Sequence, residues 1–161
     1  MMWLHAAEGS GFEMWTNVSD AVVVWFSRGL GPNETSEVAV RVLRQGKLRT
    51  FTSTDKETIA RMRLKMHYAP WFPVQSQRDG WEKFVSLERV TEVRRLPTST
   101  SAPDGPQKLA LTVTYDSRDN ANQPSTETVG EVFDPTVIDI LMDVLTRLPR
   151  EPRDPFQPIH R

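Results

Sequence analysis

The chain has no cysteine in its 161 residues. That excludes disulfides, zinc–thiolate centres and cysteine nucleophiles. It also favours an intracellular setting, because secreted domains so often lean on disulfides. Histidine is scarce. The three present, His5, His67 and His160, stand far apart, with neither metal-ligand spacing nor a partner pattern for a catalytic triad. Gly29-Leu30-Gly31-Pro32 is the nearest approach to a phosphate-cradling loop and lacks both the spacing and the lysine. No cofactor, no metal and no catalytic activity are therefore expected. No apolar run approaches the roughly 20 residues that span a bilayer. Met1-Met2-Trp3-Leu4-His5-Ala6-Ala7-Glu8 has no basic stretch leading into an apolar one, so it does not read as a signal peptide. Asn17-Val18-Ser19 and Asn33-Glu34-Thr35 match the glycosylation pattern and are read as chance. The expected location is intracellular, cytoplasmic or associated with cytoskeleton or membrane.

Net charge is only −1, but charge is segregated along the chain. Residues 41–67 hold eight Lys/Arg and two Asp/Glu, a balance of +6, and residues 116–143 hold seven Asp/Glu and one Arg, a balance of −6. Folded onto separate faces, the two segments give a large dipole that steers charged partners. Folded side by side, they neutralise each other.

What is present is mostly strand pattern. Ala21-Val22-Val23-Val24-Trp25-Phe26 is a continuous β-branched and aromatic run, which predicts a buried strand. Residues 37–44 alternate, with Val38, Val40 and Val42 on one face. The turn Gln45-Gly46-Lys47 then makes 37–52 a hairpin. Residues 81–96 and 128–133 read as strand, and in 109–115 Leu109, Leu111, Val113 and Tyr115 point inward. Residues 97–106 and 116–126 are polar loops.

Residues 54–68 support two readings. Thr54-Asp55-Lys56-Glu57 fits a capping box. Residues 61–68 alternate with period two, which places Met62, Leu64, Met66 and Tyr68 on one face and Arg61, Arg63, Lys65 and His67 on the other. The alternation favours a strand preceded by one turn at 54–58. Helix over 55–65 stays open, since Arg, Met, Leu and Lys are good helix formers.

One segment reads clearly as helix. Asp134 suits a cap and Pro135 the first helical position. Val137, Ile138, Leu141, Val144, Leu145 and Leu148 then recur at helical spacing until Pro149. The resulting expectation is a mainly β chain: an antiparallel sandwich or partly open barrel of six to seven strands, its mouth sealed by one C-terminal amphipathic helix. Residues 1–11 form an arm, 12–149 the domain, and 150–161, with Pro152, Pro155 and Pro158, an extended tail.

That order of elements resembles a pleckstrin-homology (PH) domain. The likeness is sharpest at Phe84-Val85-Ser86-Leu87-Glu88-Arg89-Val90-Thr91-Glu92-Val93-Arg94, which is similar to the phospholipase-type pattern where a Phe-Ser-Ile/Leu turn leads into an Ile/Val-x-Glu-Val-Arg strand. The resemblance implies the sandwich fold and the closing helix. Two departures stand beside it. The helix lacks the usual tryptophan, so Ile140, Leu141 or Met142 fills its place. The basic motif of phosphoinositide-binding members is missing, since Arg28 is the only basic residue between Trp15 and Arg28.

The best candidate site is the basic row Arg61, Arg63, Lys65 and His67, widened by Arg44, Lys47 and Arg49. On a strand such side chains stand about 6.5–7 Å apart, suited to lipid phosphates, a nucleic-acid backbone or acidic residues of a partner. The plain structural reading is a solvated face that deters edge-to-edge pairing. Only Phe51 and Tyr68 lie near the row and no nucleic-acid motif is present, so specific nucleic-acid recognition is not expected. Trp71 and Phe72, in an aromatic loop, serve either as a binding edge or as a plug over the sandwich. Phe156 in the tail is a further docking candidate. The functional expectation is a non-enzymatic scaffold or adaptor with a protein partner. The alternative is a peripheral membrane module that binds anionic phosphoinositide headgroups through the basic face.

Overall fold

The computed structural model describes residues 2–8, 11–28, 35–76, 80–116 and 124–147. Along the chain run β1 (Trp3–Glu8), β2 (Phe12–Asn17), β3 (Ala21–Arg28), β4 (Thr35–Arg44), β5 (Lys47–Ser53), α1 (Lys56–Lys65), β6 (Trp71–Val74), β7 (Trp81–Ser86), β8 (Glu92–Pro97), β9 (Gln107–Asp116), β10 (Pro124–Val132) and α2 (Pro135–Arg147). Three antiparallel sheets result, of order β5-β4-β3-β7-β6, β10-β9-β8 and β1-β2. The fold is a mainly β sandwich with a C-terminal helix, and its sheets do not close into a barrel.

The valine-rich run forms β3, the central strand, paired to β4 on one side and β7 on the other. Successive side chains on a strand face opposite ways, and with a register shift between Ala21 and Val23 β3 feeds two cores. Val24 and Phe26 join Val38, Val40 and Val42 of β4 in one cluster, with Leu4, Ile59, Met62 and Met66. Val22 and Val23 join Val85, Leu109, Leu111, Val113, Val129, Val132, Ile138 and Leu141 in the other. One face of the five-stranded sheet is thus covered by α1 and β1, and the other by the three-stranded sheet and α2. The β4–β5 hairpin turns where expected, and Gln45 (φ 53°) and Gly46 (φ 70°) both take left-handed backbone, as a tight two-residue hairpin loop demands.

Helix α2 begins as its sequence predicts. The carboxylate of Asp134 accepts from the Thr136 N–H at 2.8 Å, and its carbonyl accepts from the Ile138 N–H at 2.9 Å. Ile138 and Leu141 are buried, while Val137 and Leu145 pack against the same core. Leu141 is fully buried in that core. Leu148 lies outside the described residues. Among the described residues no helix is long and apolar enough to cross a membrane.

Four segments depart from the sequence reading, one of them residues 71–74, expected in an aromatic loop and found as strand β6 paired with β7. Residues 56–65 are helix, not strand. Asp55 caps the helix by accepting from the Thr58 N–H at 2.9 Å and the Thr58 hydroxyl at 2.7 Å. Ile59, Met62 and Met66 then meet the core at spacings of three and four, leaving Leu64 and Tyr68 exposed. The period-two alternation was mimicry: two of its four apolar residues serve a helical stripe. Residues 3–8, expected within an arm, form β1 and pair along their whole length with β2. Residues 81–96 are two strands, not one. The chain turns after Ser86, and β8 leaves the five-stranded sheet for β9.

Candidate functional site

The expected basic row does not exist as a row. On a helix Arg61 and Arg63 point about 200° apart. Arg61 pairs with Glu57 one turn back. Arg63 pairs with Glu82 of β7 at 3.2 Å and lies over the Phe26 ring at 4.7 Å. Lys65 lines a small pocket of about 310 Å³ with Met2, Tyr68, Trp71 and Arg89. His67 is exposed beyond the helix end. Arg44 is engaged by the Asp20 carboxylate at 2.9 Å and by the Asn17 carbonyl, and stacks on Phe51. The Arg44 hydrogen bond pulls the Asp20 carboxyl below the usual carboxylate range. Lys47 and Arg49 are exposed on β5, an outer strand of the sheet, where charge protects a free edge. The strand row that the alternation suggested is therefore not formed.

The aromatic candidates also separate. Phe72 is buried in the second core, which removes it as an interface residue, because β6 pairs with β7 and turns that ring inward. Trp71 is half-buried against the first core. Phe156 lies outside the described residues.

Two features were not singled out from sequence. The first is the β1–β2 hairpin, which among the described residues forms a two-stranded sheet of its own. It leaves Trp3 49%, Phe12 70%, Met14 45% and Trp15 56% exposed. Its root is pinned to the end of β5 and to α1. The Ser53 hydroxyl donates to the His5 carbonyl, and the Thr58 hydroxyl lies 3.4 Å from the His5 N–H, which donates to it. The His5 ring stacks on Trp15 at 4.8 Å, with the Asp55 carboxylate 3.5 Å from Nδ1 and Glu13 3.8 Å from Nε2. Hydrogen bonds from Thr58 chiefly, with His5 adding to them, hold the Asp55 carboxyl below its ordinary value. The legible signal was apolar residues on both sides of Gly9-Ser10-Gly11, a turn sequence.

The second is a pocket of about 560 Å³ between the sheets. The face of β3, β4, β5 and β7 that turns toward the three-stranded sheet supplies Trp25, Ala39, Arg41, Thr50, Trp81 and Lys83, while β10 and its end supply Thr128, Gly130, Glu131 and Phe133. Arg41 and Lys83 each lie 5.5 Å from the centre of the Trp25 ring. Arg41 pairs with Glu127 at 2.9 Å, and Lys108 pairs with Glu131 at 3.2 Å. The basic and acidic segments thus meet here, side by side. Burial, reinforced by the neighbouring Arg41 charge, pushes the Lys83 amine below the ordinary lysine value. Among the described residues no group of three or more His, Asp or Glu is placed to hold a metal.

Comparison of the chain with protein-family models, curated proteins and solved structures finds no match.

Proposed function

We propose that the protein is a non-catalytic, PH-like adaptor domain that works through protein–protein contacts, with the β1–β2 hairpin as its docking element. The observation that carries this reading is the exposure, at 45% or more, of four large apolar side chains on one two-stranded projection, Trp3 and Trp15 on one face and Phe12 and Met14 on the other. Trp3 and Trp15 share one face, an exposed aromatic pair of the kind that marks an interaction site, and tryptophan and phenylalanine anchor interfaces. The hairpin is fixed at its root through His5, Ser53 and Thr58, so its aromatic side chains are presented on a supported scaffold, which lowers the ordering cost of binding. The PH-like part of the reading is supported by the order of elements: two sheets face to face, then a helix whose Leu141 enters the core.

The test is cross-linking mass spectrometry in cells, with the full chain as bait and a photoreactive residue at Phe12. A discrete partner cross-linked at the hairpin, lost in Trp3→Ser/Trp15→Ser at unchanged melting temperature, supports the proposal. A chain that yields no hairpin cross-link, or whose partner is indifferent to the double substitution, overturns it.

A further inference from the structure

We propose that the pocket between the sheets binds a small aromatic acid, a planar ring bearing one negative charge. This is independent of the docking reading, since the hairpin contributes no residue to the pocket.

The volume is the first ground. Ligand sites run from about 300 to 1,000 Å³, and this pocket measures about 560 Å³. The lining is the second. Trp25, Trp81 and Phe133 give it aromatic walls, which favour a flat ring through offset or edge contacts. Thr50, Gln75 and Thr128 add polar groups that fix orientation.

Charge is the third ground, and it sets the ligand's sign. Arg41, Lys83 and Glu131 line the space, and Glu127 and Lys108 stand behind them as ion-pair partners. Arg41 is matched by Glu127 and Lys108 by Glu131. Lys83 has no carboxylate within ion-pair distance among the described residues; its ammonium leans on the Trp25 face. The pocket therefore holds one uncompensated positive charge, half-buried. Arg41 also has donor capacity to spare, for its Nε is buried without an acceptor and only Nη1 is engaged by Glu127. A desolvated cation with an unused neighbour favours a bound anion, because a charge-assisted hydrogen bond strengthens where water is excluded. A single carboxylate balances the site. A second negative charge would meet Glu127 and Glu131.

The probe is indole-3-acetate, with the neutral indole-3-acetamide as its counterpart, titrated into the full chain carrying ¹⁵N-labelled tryptophan side chains. The proposal expects the indole N–H signals of Trp25 and Trp81 to move while those of Trp3 and Trp15 stay fixed, and the acid to bind at least about 10-fold tighter than the amide. Lys83→Met abolishes that preference. Thr50→Phe, at an exposed β5 position on the rim, weakens both ligands by narrowing the space. Should Lys83→Met fail to fold, the acid–amide comparison on the unaltered chain decides alone. Still signals at Trp25 and Trp81 with millimolar ligand, shifts confined to Trp3 and Trp15, or equal affinity for acid and amide would each overturn the proposal.

Discussion

Gly130 of β10 sits so near Val85 of β7 that a Cβ on the glycine would stand 3.0 Å from the valine Cγ2. The two Val74 methyls lie only 3.2 Å from the same point. This close approach brings the two sheets together beside the pocket, at a register shift in the β9–β10 ladder. β-branched side chains are stiff and cannot swing aside. Gly130→Val is expected to cost about 1–3 kcal/mol through overpacking, with Gly130→Ala less damaging. Urea denaturation checks the order. A Gly130→Val protein as stable as the parent would mean that the sheets part freely.

Helix α1 makes a pair of opposed predictions. Met62 is 2% exposed and Leu64 is 65% exposed. Met62→Ala is expected to cost about 2–5 kcal/mol, whereas Leu64→Lys stays within about 0.5 kcal/mol of the parent. A strand over these residues would put both on one face and make both costly. Chemical denaturation of the two variants therefore separates helix from strand without a structure.

Closure of the second core by α2 is tested at neighbouring positions. Leu141 is 0% exposed and Ile140 is 53% exposed. Leu141→Asp places an unpaired carboxylate in an apolar core and is expected to abolish folding, while Ile140→Asp is tolerated. Far-ultraviolet and near-ultraviolet circular dichroism read both outcomes. Asp134→Ala, which removes the helix cap, is expected to cost about 1 kcal/mol.

The Asp20–Arg44 pair predicts an acid response. Arg44 holds the Asp20 carboxyl below its ordinary 3.8. A carboxylate whose folded pKa lies below its unfolded one stabilises the fold above the unfolded value and loses that contribution as the pH falls through the folded one. Melting temperature should therefore drop more steeply in the parent than in Asp20→Asn between about pH 5 and pH 2, the two converging at the acid end. Parallel curves would remove the ion pair from the account of stability.

Much of the fold was legible because it rests on local periodicity. The inward sets Val38/Val40/Val42 and Leu109/Leu111/Val113 are all at most 1% exposed, as alternation requires. The Asp134-Pro135 start of α2 could be read from cap chemistry within a few residues. Residues 61–68 misled because alternation and helical spacing share members: Met62 and Met66 satisfy both. The cap at Asp55 held the deciding information, in a pattern already present at residues 54–57.

The candidate sites were far less legible. Arg61, Arg63 and Lys65 looked like one row only while a strand was assumed, and Phe72 looked available only until β6 found β7. The pocket joins residues from 25 to 133, a span that no local pattern connects. Its charge pairing, Arg41 with Glu127, crosses from one sheet to the other.

By itself, then, the sequence determined the β-rich class, the central buried strand, the 37–52 hairpin and the capped closing helix. Each follows from hydrophobic period and turn chemistry acting over a few neighbouring residues. Tertiary structure decided which faces stay in water, that Trp3, Phe12, Met14 and Trp15 project outward, and that Lys83, with no carboxylate in ion-pair distance among the described residues, leans on Trp25. Those outcomes depend on which distant strands meet, a choice made by packing and charge across the sheets.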